Sequence, residues 1–201
     1  MVAALLTRRV AAPAAVAVGE LSSASASTNG FASDLAWALT QGRQRVLLID
    51  GSSEEASSAE GLSDALLRSG KLGPLTQTDG ELARLSVGQD PKAGRRLYGT
   101  PRLDAVLTSA SEAYDWVVVE APATDQTDGR ALVGGCGYWV PIVTLGSTSR
   151  HDLENGLQWA QASGAHPLGA VAVTVDAADH PTHGAQEASS ASSASSASSS
   201  E

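Results

Sequence analysis

Two apolar runs in this chain each end on a carboxylate: Val46-Leu-Leu-Ile-Asp50 and Trp116-Val-Val-Val-Glu120. Runs so uniformly apolar suit strands buried on both faces of a sheet. Their terminal acids then stand at the sheet's edge, where chemistry is accessible. A third segment, Ser22-Ser-Ala-Ser-Ala-Ser-Thr-Asn-Gly30, follows a short apolar run and precedes a helical pattern. A loop that opens a helix offers free N–H groups and the positive end of the helix dipole, which leaves weak anion binding open. Gly146 to Arg150 is a fourth segment of the same kind, between a strand pattern and a helix pattern.

The other constellations carry less. His180-Pro-Thr-His183 places two histidines three apart, but in a Ser/Gly/Pro-rich stretch with only Asp179 beside them. A metal site needs about four ligands in fixed geometry, so no metal is expected. Serines are plentiful, yet no Gly-x-Ser-x-Gly elbow follows a strand. Cys136 is the only cysteine, which excludes an intrachain disulfide and fits a small packed residue in a reducing compartment.

The elements that must position these segments alternate. Ala14–Gly19 reads as a strand. Phe31, Leu35, Trp37, Ala38 and Leu39 recur at roughly helical spacing, with Gly42 as a stop. Arg45–Asp50 is a strand, Ala59–Ser69 a helix ending at Gly70, and Arg84–Gly88 a short strand. Arg102–Ala113 is an amphipathic helix with Leu103, Val106 and Leu107 on one face. Trp116–Glu120 is a strand, Asp128–Val133 a short helix, Tyr138–Val143 a strand, His151–Ser163 a helix and Gly169–Val175 a last strand. Alternation of this kind predicts an α/β fold: a mainly parallel sheet with helices on both faces, a three-layer sandwich. Ligands of such sheets bind at the carboxyl ends of the strands, where the four segments collect.

Of 201 residues, 42% are hydrophobic and 4% aromatic, so the core rests on Val, Leu, Ile and Ala. A net charge of −9 with no basic cluster excludes general nucleic-acid binding. It also argues against direct contact with anionic lipid. The Ala/Val run after Arg8 and Arg9 is interrupted at Pro13 and reads as a first buried strand, so the chain is expected to be soluble and cytoplasmic. Three regions are expected: an extension over 1–13, one domain over 14–176, and a disordered Ser/Ala-rich tail over 177–201.

Val46–Asp50, then Gly61-Leu-Ser-Asp-Ala-Leu-Leu67, then Arg102-Leu-Asp-Ala-Val-Leu107, then Tyr114-Asp-Trp-Val-Val-Val-Glu-Ala-Pro122 occur in this order. The series resembles the cytoplasmic domain of bacterial tyrosine kinases (BY-kinases), within the ParA/MinD class of P-loop proteins. It runs from about Ala14 to Val175. The Gly-Leu-Ser-Asp segment is its most specific piece. The resemblance implies a P-loop NTPase-like fold and a partnership with the polysaccharide co-polymerases of capsule and exopolysaccharide export.

The catalytic motifs depart from that pattern. A P-loop wraps phosphates with glycine-rich backbone, reaches them with Lys and holds Mg²⁺ with Ser or Thr. Here Thr28 falls at the Lys position, Asn29 at the Mg²⁺-binding hydroxyl, and Ser25 and Ser27 replace glycines. These four residues form a degenerate cofactor-binding loop. The second motif keeps Asp50, which the resemblance implies as a candidate base, but has Ser52 in place of its second acid. A polar strand end explains Asp50 equally. The third carries Glu120 where the family has the Asp that positions Mg²⁺. Asp128 matches a further acidic position, and a helix N-cap accounts for it. The family's tyrosine-rich tail is absent: Tyr98, Tyr114 and Tyr138 all lie in the folded region, so the chain has no tail tyrosine to phosphorylate.

The expectation is therefore a non-catalytic BY-kinase-like protein, a pseudokinase with Asp50 and Glu120 as residual candidates and no cofactor. It would act on exopolysaccharide synthesis or export by binding a membrane co-polymerase or an active paralogue, as a cytoplasmic protein peripheral to the inner membrane through that partner, with homo-oligomerisation left open. Two alternatives stand beside it. One is a divergent tyrosine kinase or ATPase using Thr28, Asn29, Asp50 and Glu120 with Mg-ATP, a missing cation coming from a partner or from Arg8, Arg9 or Arg150. The other is a MinD- or ParA-like positioning scaffold.

Overall fold

In a computed structural model of the chain, residues 10–23, 30–68, 72, 76–79 and 82–174 are described. The proposed tail and most of the proposed extension lie outside them.

Among the described residues the sheet has the order β3-β4-β2-β5-β1-β6-β7, with β8 also on β6. The strands are β1 (Ala14–Glu20), β2 (Val46–Asp50), β3 (Gln77–Asp79), β4 (Leu82–Leu85), β5 (Trp116–Glu120), β6 (Gly137–Thr144), β7 (His166–Pro167) and β8 (Val171–Val173). All pairings are parallel except β3 with β4. The helices are α1 (Phe31–Thr40), α2 (Leu62–Arg68), α3 (Pro91–Arg95), α4 (Pro101–Ala113), α5 (Thr127–Cys136) and α6 (Arg150–Ser163).

Side chains alternate across each strand, so each apolar run feeds two cores. Leu47, Ile49, Val117, Val119 and Trp139 face one layer, packed by Leu62 and Leu66 of α2, Leu103, Val106 and Leu107 of α4, Leu132 and Val133 of α5, and Ala160 of α6. Val16, Val18, Val46, Leu48, Trp116 and Val118 face the other, covered by Ala32, Leu35, Ala36 and Leu39 of α1. Each fully buried Leu or Val contributes about 1.5–3 kcal/mol. Cys136 is a buried packing residue of the first layer, and burial pushes its thiol up to about 12. Helix α6 begins with a capping box, Ser149 with Asp152, and ends at Gly164 in the left-handed region (φ 82°).

Several boundaries differ from expectation. Helix α2 starts at Leu62, not Ala59, because the N–H groups of Leu62 and Ser63 donate to the carbonyls of Ser86 and Val87. The strand expected over Arg84–Gly88 is Leu82–Leu85: its buried residues are Leu82, Ala83 and Leu85, while Ser86–Gly88 dock against α2. Helix α5 is longer than expected, and the last strand is Val171–Val173. The short elements α3, β3 and β7 went unassigned in the sequence. No described helix is long and apolar enough to cross a membrane.

Candidate functional site

Because β1, β2 and β5 are adjacent and parallel, the loops that follow them gather on one edge of the sheet. They enclose a cleft of about 660 Å³. Its described walls come from the loop after β1 (Glu20, Ser23), the start of α1 (Gly30, Ala32), the loop after β2 (Ser52–Glu54), and the end of β5 with its loop (Glu120–Ala123). Arg95, Gln126 and Ile142 line it too, with Val18 and Gly19 of β1. Ser25, Ser27, Thr28 and Asn29, the proposed cofactor-binding residues, lie outside the described residues.

The two residual catalytic candidates stand side by side. Asp50 is the register partner of Glu120, and the Gly51 N–H donates to the Glu120 carbonyl at 2.9 Å. Asp50 closes its own turn: Oδ1 accepts from the N–H groups of Ser52 (3.1 Å) and Ser53 (2.9 Å), and Oδ2 accepts from the Ser53 hydroxyl (2.6 Å). Both carboxylate oxygens are thus engaged by the loop that follows. Glu120 is half-buried. Burial first, and the Asp50 charge second, push its carboxyl above the usual range, while the Ser52 hydroxyl pulls the other way.

Gly51 must be glycine for this packing. A Cβ there would meet Leu132 Cδ2 at 2.5 Å and the Glu120 carbonyl at 3.0 Å. Its own carbonyl accepts from the Tyr98 hydroxyl at 3.0 Å. Tyr98 is buried, which raises its hydroxyl well above the ordinary range.

The Ser-rich loop is held where it departs. Asp125 Oδ2 accepts from the Ser23 N–H (2.8 Å), the Ser23 hydroxyl (2.8 Å) and the Ser22 hydroxyl (3.3 Å). The Thr124 N–H donates to the Glu20 carbonyl at 2.9 Å. Where the loop enters α1, Gly30 sits at φ 119°. Below it, Arg130 donates to the Thr124 carbonyl (2.6 Å) and lies 5.8 Å from the Trp159 ring centre. Trp159 in turn meets Trp139 edge-on.

Sequence reasoning missed the cation in the cleft. Arg95 ends α3, a helix capped by Asp90, whose Oδ1 accepts from the Ala93 N–H at 3.0 Å, with Pro91 in its first turn. That Asp-Pro pair is a helix-start signal and was available in the sequence. The Arg95 side chain is 14% exposed. One terminal nitrogen lies 3.2 Å from Asp128 Oδ2 and 3.6 Å from Glu54 Oε1, and the other donates to the Ser52 carbonyl. Arg150, proposed as a local cation, pairs with Glu154 on exposed α6 and does not line the cleft. Arg8 and Arg9 lie outside the described residues.

Asp128 is not an N-cap. Gln126 holds that position without a side-chain bond, and Asp128 sits in the first turn, bonded to the Gly129 N–H and paired with Arg95. The Gly61-Leu-Ser-Asp segment builds architecture near the site. Asp64 Oδ2 accepts from the N–H groups of Gly61 (2.9 Å) and Gln89 (3.0 Å), and the Ser63 hydroxyl accepts from Asp90 N–H (3.2 Å).

The charge balance of the described lining is acidic: Glu20, Glu54 and Glu120 against Arg95. Among the described residues no group of three or more His, Cys, Asp and Glu is arranged to hold a metal ion.

No protein-family model and no curated protein sequence matches the chain. Solved structures do. The VpsO kinase domain superposes with a TM-score of 0.75 at 15% identity, covering 88% of this chain and 92% of that one. The kinase domain of the Escherichia coli tyrosine kinase ETK gives a TM-score of 0.69 at 21% identity, covering 90% and 72%. Cobyrinic acid a,c-diamide synthase from Mycobacterium smegmatis gives 0.64 at 15% identity, covering 82% and 75%. The chain therefore has the P-loop NTPase-like α/β fold of bacterial tyrosine-kinase domains.

Proposed function

We propose that this protein is a non-catalytic member of the BY-kinase fold, a pseudokinase that regulates or scaffolds exopolysaccharide or capsule synthesis and export by binding a membrane co-polymerase or an active paralogue. The observation that carries the non-catalytic part is the engagement of Asp50. The carboxylate implied as the base accepts hydrogen bonds on both oxygens from Ser52 and Ser53, so its own loop orients it, and Asp50 is not among the described residues that line the cleft. The acidic cleft and the replacement of the P-loop lysine by Thr28 act in the same direction, since a nucleotide's phosphates need cations. The polysaccharide setting rests on the sequence resemblance and on the likeness in fold to tyrosine-kinase domains.

Calorimetric titration with Mg-ATP and Mg-ADP tests the chemistry: the expected result is no binding at millimolar nucleotide. Micromolar binding that is lost in Asp50→Ala or Glu120→Ala would overturn it. For the partner, the protein should co-purify with a polysaccharide co-polymerase from the membrane fraction. Recovery of membrane complexes holding no export component would count against that part. A divergent kinase or ATPase remains the second reading because Arg95 places one guanidinium inside the cleft.

A further inference from the structure

Two carboxylates of the cleft wall, Glu54 and Glu120, stand near two just behind it, Asp50 and Asp128. Asp50 and Glu120 end adjacent strands in register. Glu54 follows in the β2 loop, and Asp128 opens α5. Like charges gathered beside a partly buried cleft repel one another; Glu120 responds by holding its proton more tightly, and a bound or tethered cation can offset the rest.

Arg95 is placed to be the tethered one. Its guanidinium receives three oxygens from two separate elements: the Ser52 carbonyl and the Glu54 carboxylate from the β2 loop, and the Asp128 carboxylate from α5. Carbonyl and carboxylate oxygens from different segments converging on one point are also what a hard divalent cation collects. The helix that delivers Arg95 is fixed from behind. Gly94 lies so close to α2 that a Cβ would come within 2.7 Å of the Ser63 Cβ, and Asp90 both caps α3 and donates its N–H to Ser63. One turn later Tyr98 binds the Gly51 carbonyl. The loop after β2 is thereby tied at successive carbonyls by one short segment of chain.

We propose that Arg95 takes the place of a divalent cation at the edge of this cleft: it pairs with the Asp128 and Glu54 carboxylates and fastens the β2 loop to α5, so that corner is organised without metal. The proposal stands whether or not nucleotide binds, and its test does not use nucleotide.

The test is hydrogen exchange of the peptide covering 50–54, with and without millimolar Mn²⁺, in the full chain. In the wild type, exchange should be slow and the same in Mn²⁺ and in EDTA. In Arg95→Met it should accelerate by about tenfold or more, the change for losing a charge-assisted bond, and Mn²⁺ should restore protection. Asp128→Asn should accelerate exchange too, but with Arg95 still present Mn²⁺ should restore nothing. Arg95→Lys, which keeps the charge, should remain insensitive to Mn²⁺ and serves if Arg95→Met does not fold. Three results would each overturn the proposal: Mn²⁺ protection of 50–54 in the wild type, wild-type exchange in Arg95→Met, or Mn²⁺ rescue of Arg95→Lys. Failure of Mn²⁺ to restore Arg95→Met would overturn it as well.

Discussion

Replacing Asp64 by alanine should destabilise the fold by about 3 kcal/mol. Asp64 is buried, and one of its oxygens accepts two main-chain N–H groups, from Gly61 at 2.9 Å and from Gln89 at 3.0 Å. Truncation leaves both donors without that acceptor, in a place where Gly88 packs so closely that a Cβ there would lie 2.6 Å from Asp64 Oδ2. A buried unsatisfied donor costs about 1–3 kcal/mol. Two such donors sum to about 2–6 kcal/mol, and water entering the vacated space relieves part of the loss, which gives about 3 kcal/mol. For a domain of this size the melting temperature should fall by about 6–12 °C, at about 2–4 °C per kcal/mol. Asp64→Asn keeps an acceptor oxygen and should lose only about 1 kcal/mol. Urea unfolding followed by the fluorescence of the buried Trp116 and Trp139 reads both variants, with the urea slope unchanged. A loss below about 0.5 kcal/mol in Asp64→Ala would refute the reasoning, since the two bonds would then be worth no more than contacts with solvent.

Glu120 has a raised carboxyl, so its proton is held more tightly in the folded chain than in the unfolded one. Its contribution is fully present below the ordinary glutamate range and is lost as pH rises through the folded value. Glu120→Gln should accordingly flatten the decline of stability on the alkaline side of that range, measured by urea titration at successive pH values; an unchanged profile would contradict the assignment. Arg130→Ala removes a bond to the Thr124 carbonyl and a cation facing Trp159. It should cost about 1–2 kcal/mol and shift the Trp159 emission, whereas an unaltered spectrum would mean that the ring and the guanidinium do not stay in contact.

The long elements were legible because one physical signal dominates each. Leu47, Ile49, Val117 and Val119 belong to unbroken apolar runs, and parallel strands buried on both faces produce such runs. Leu103, Val106, Leu107 and Ala110 repeat at helical spacing, and they are the buried residues of α4. The short elements had no comparable signal. Five residues of α3 are too few to show periodicity, and only Asp90-Pro91 marked it. Strand β4 was displaced because Ser86–Gly88 looks extended but is spent on docking to α2. Asp50 and Glu120 could be placed at one sheet edge from the sequence because strand ends are a sequence feature. Arg95 could not: its place depends on Gly94 fitting against Ser63, a tertiary contact with no local pattern. Asp128 was misread for the same reason, its partner lying 33 residues away.

Several polar groups in and beside the cleft bind one another. Asp50 binds Ser52 and Ser53, Asp125 binds Ser22 and Ser23, and Arg95 binds Ser52 and Asp128. A substrate hydroxyl that met Asp50 would reach a carboxylate already accepting from three donors within 3.1 Å, two on Oδ1 and one on Oδ2. Bonds to a charged group are worth about 1.5–3 kcal/mol each, so the three together hold the carboxylate in one orientation. The charged groups that the described walls offer a ligand are three carboxylates and a guanidinium already committed to three oxygens. Under the non-catalytic reading proposed above, turnover should be absent unless a partner loosens the β2 loop, and turnover by the isolated chain would refute it.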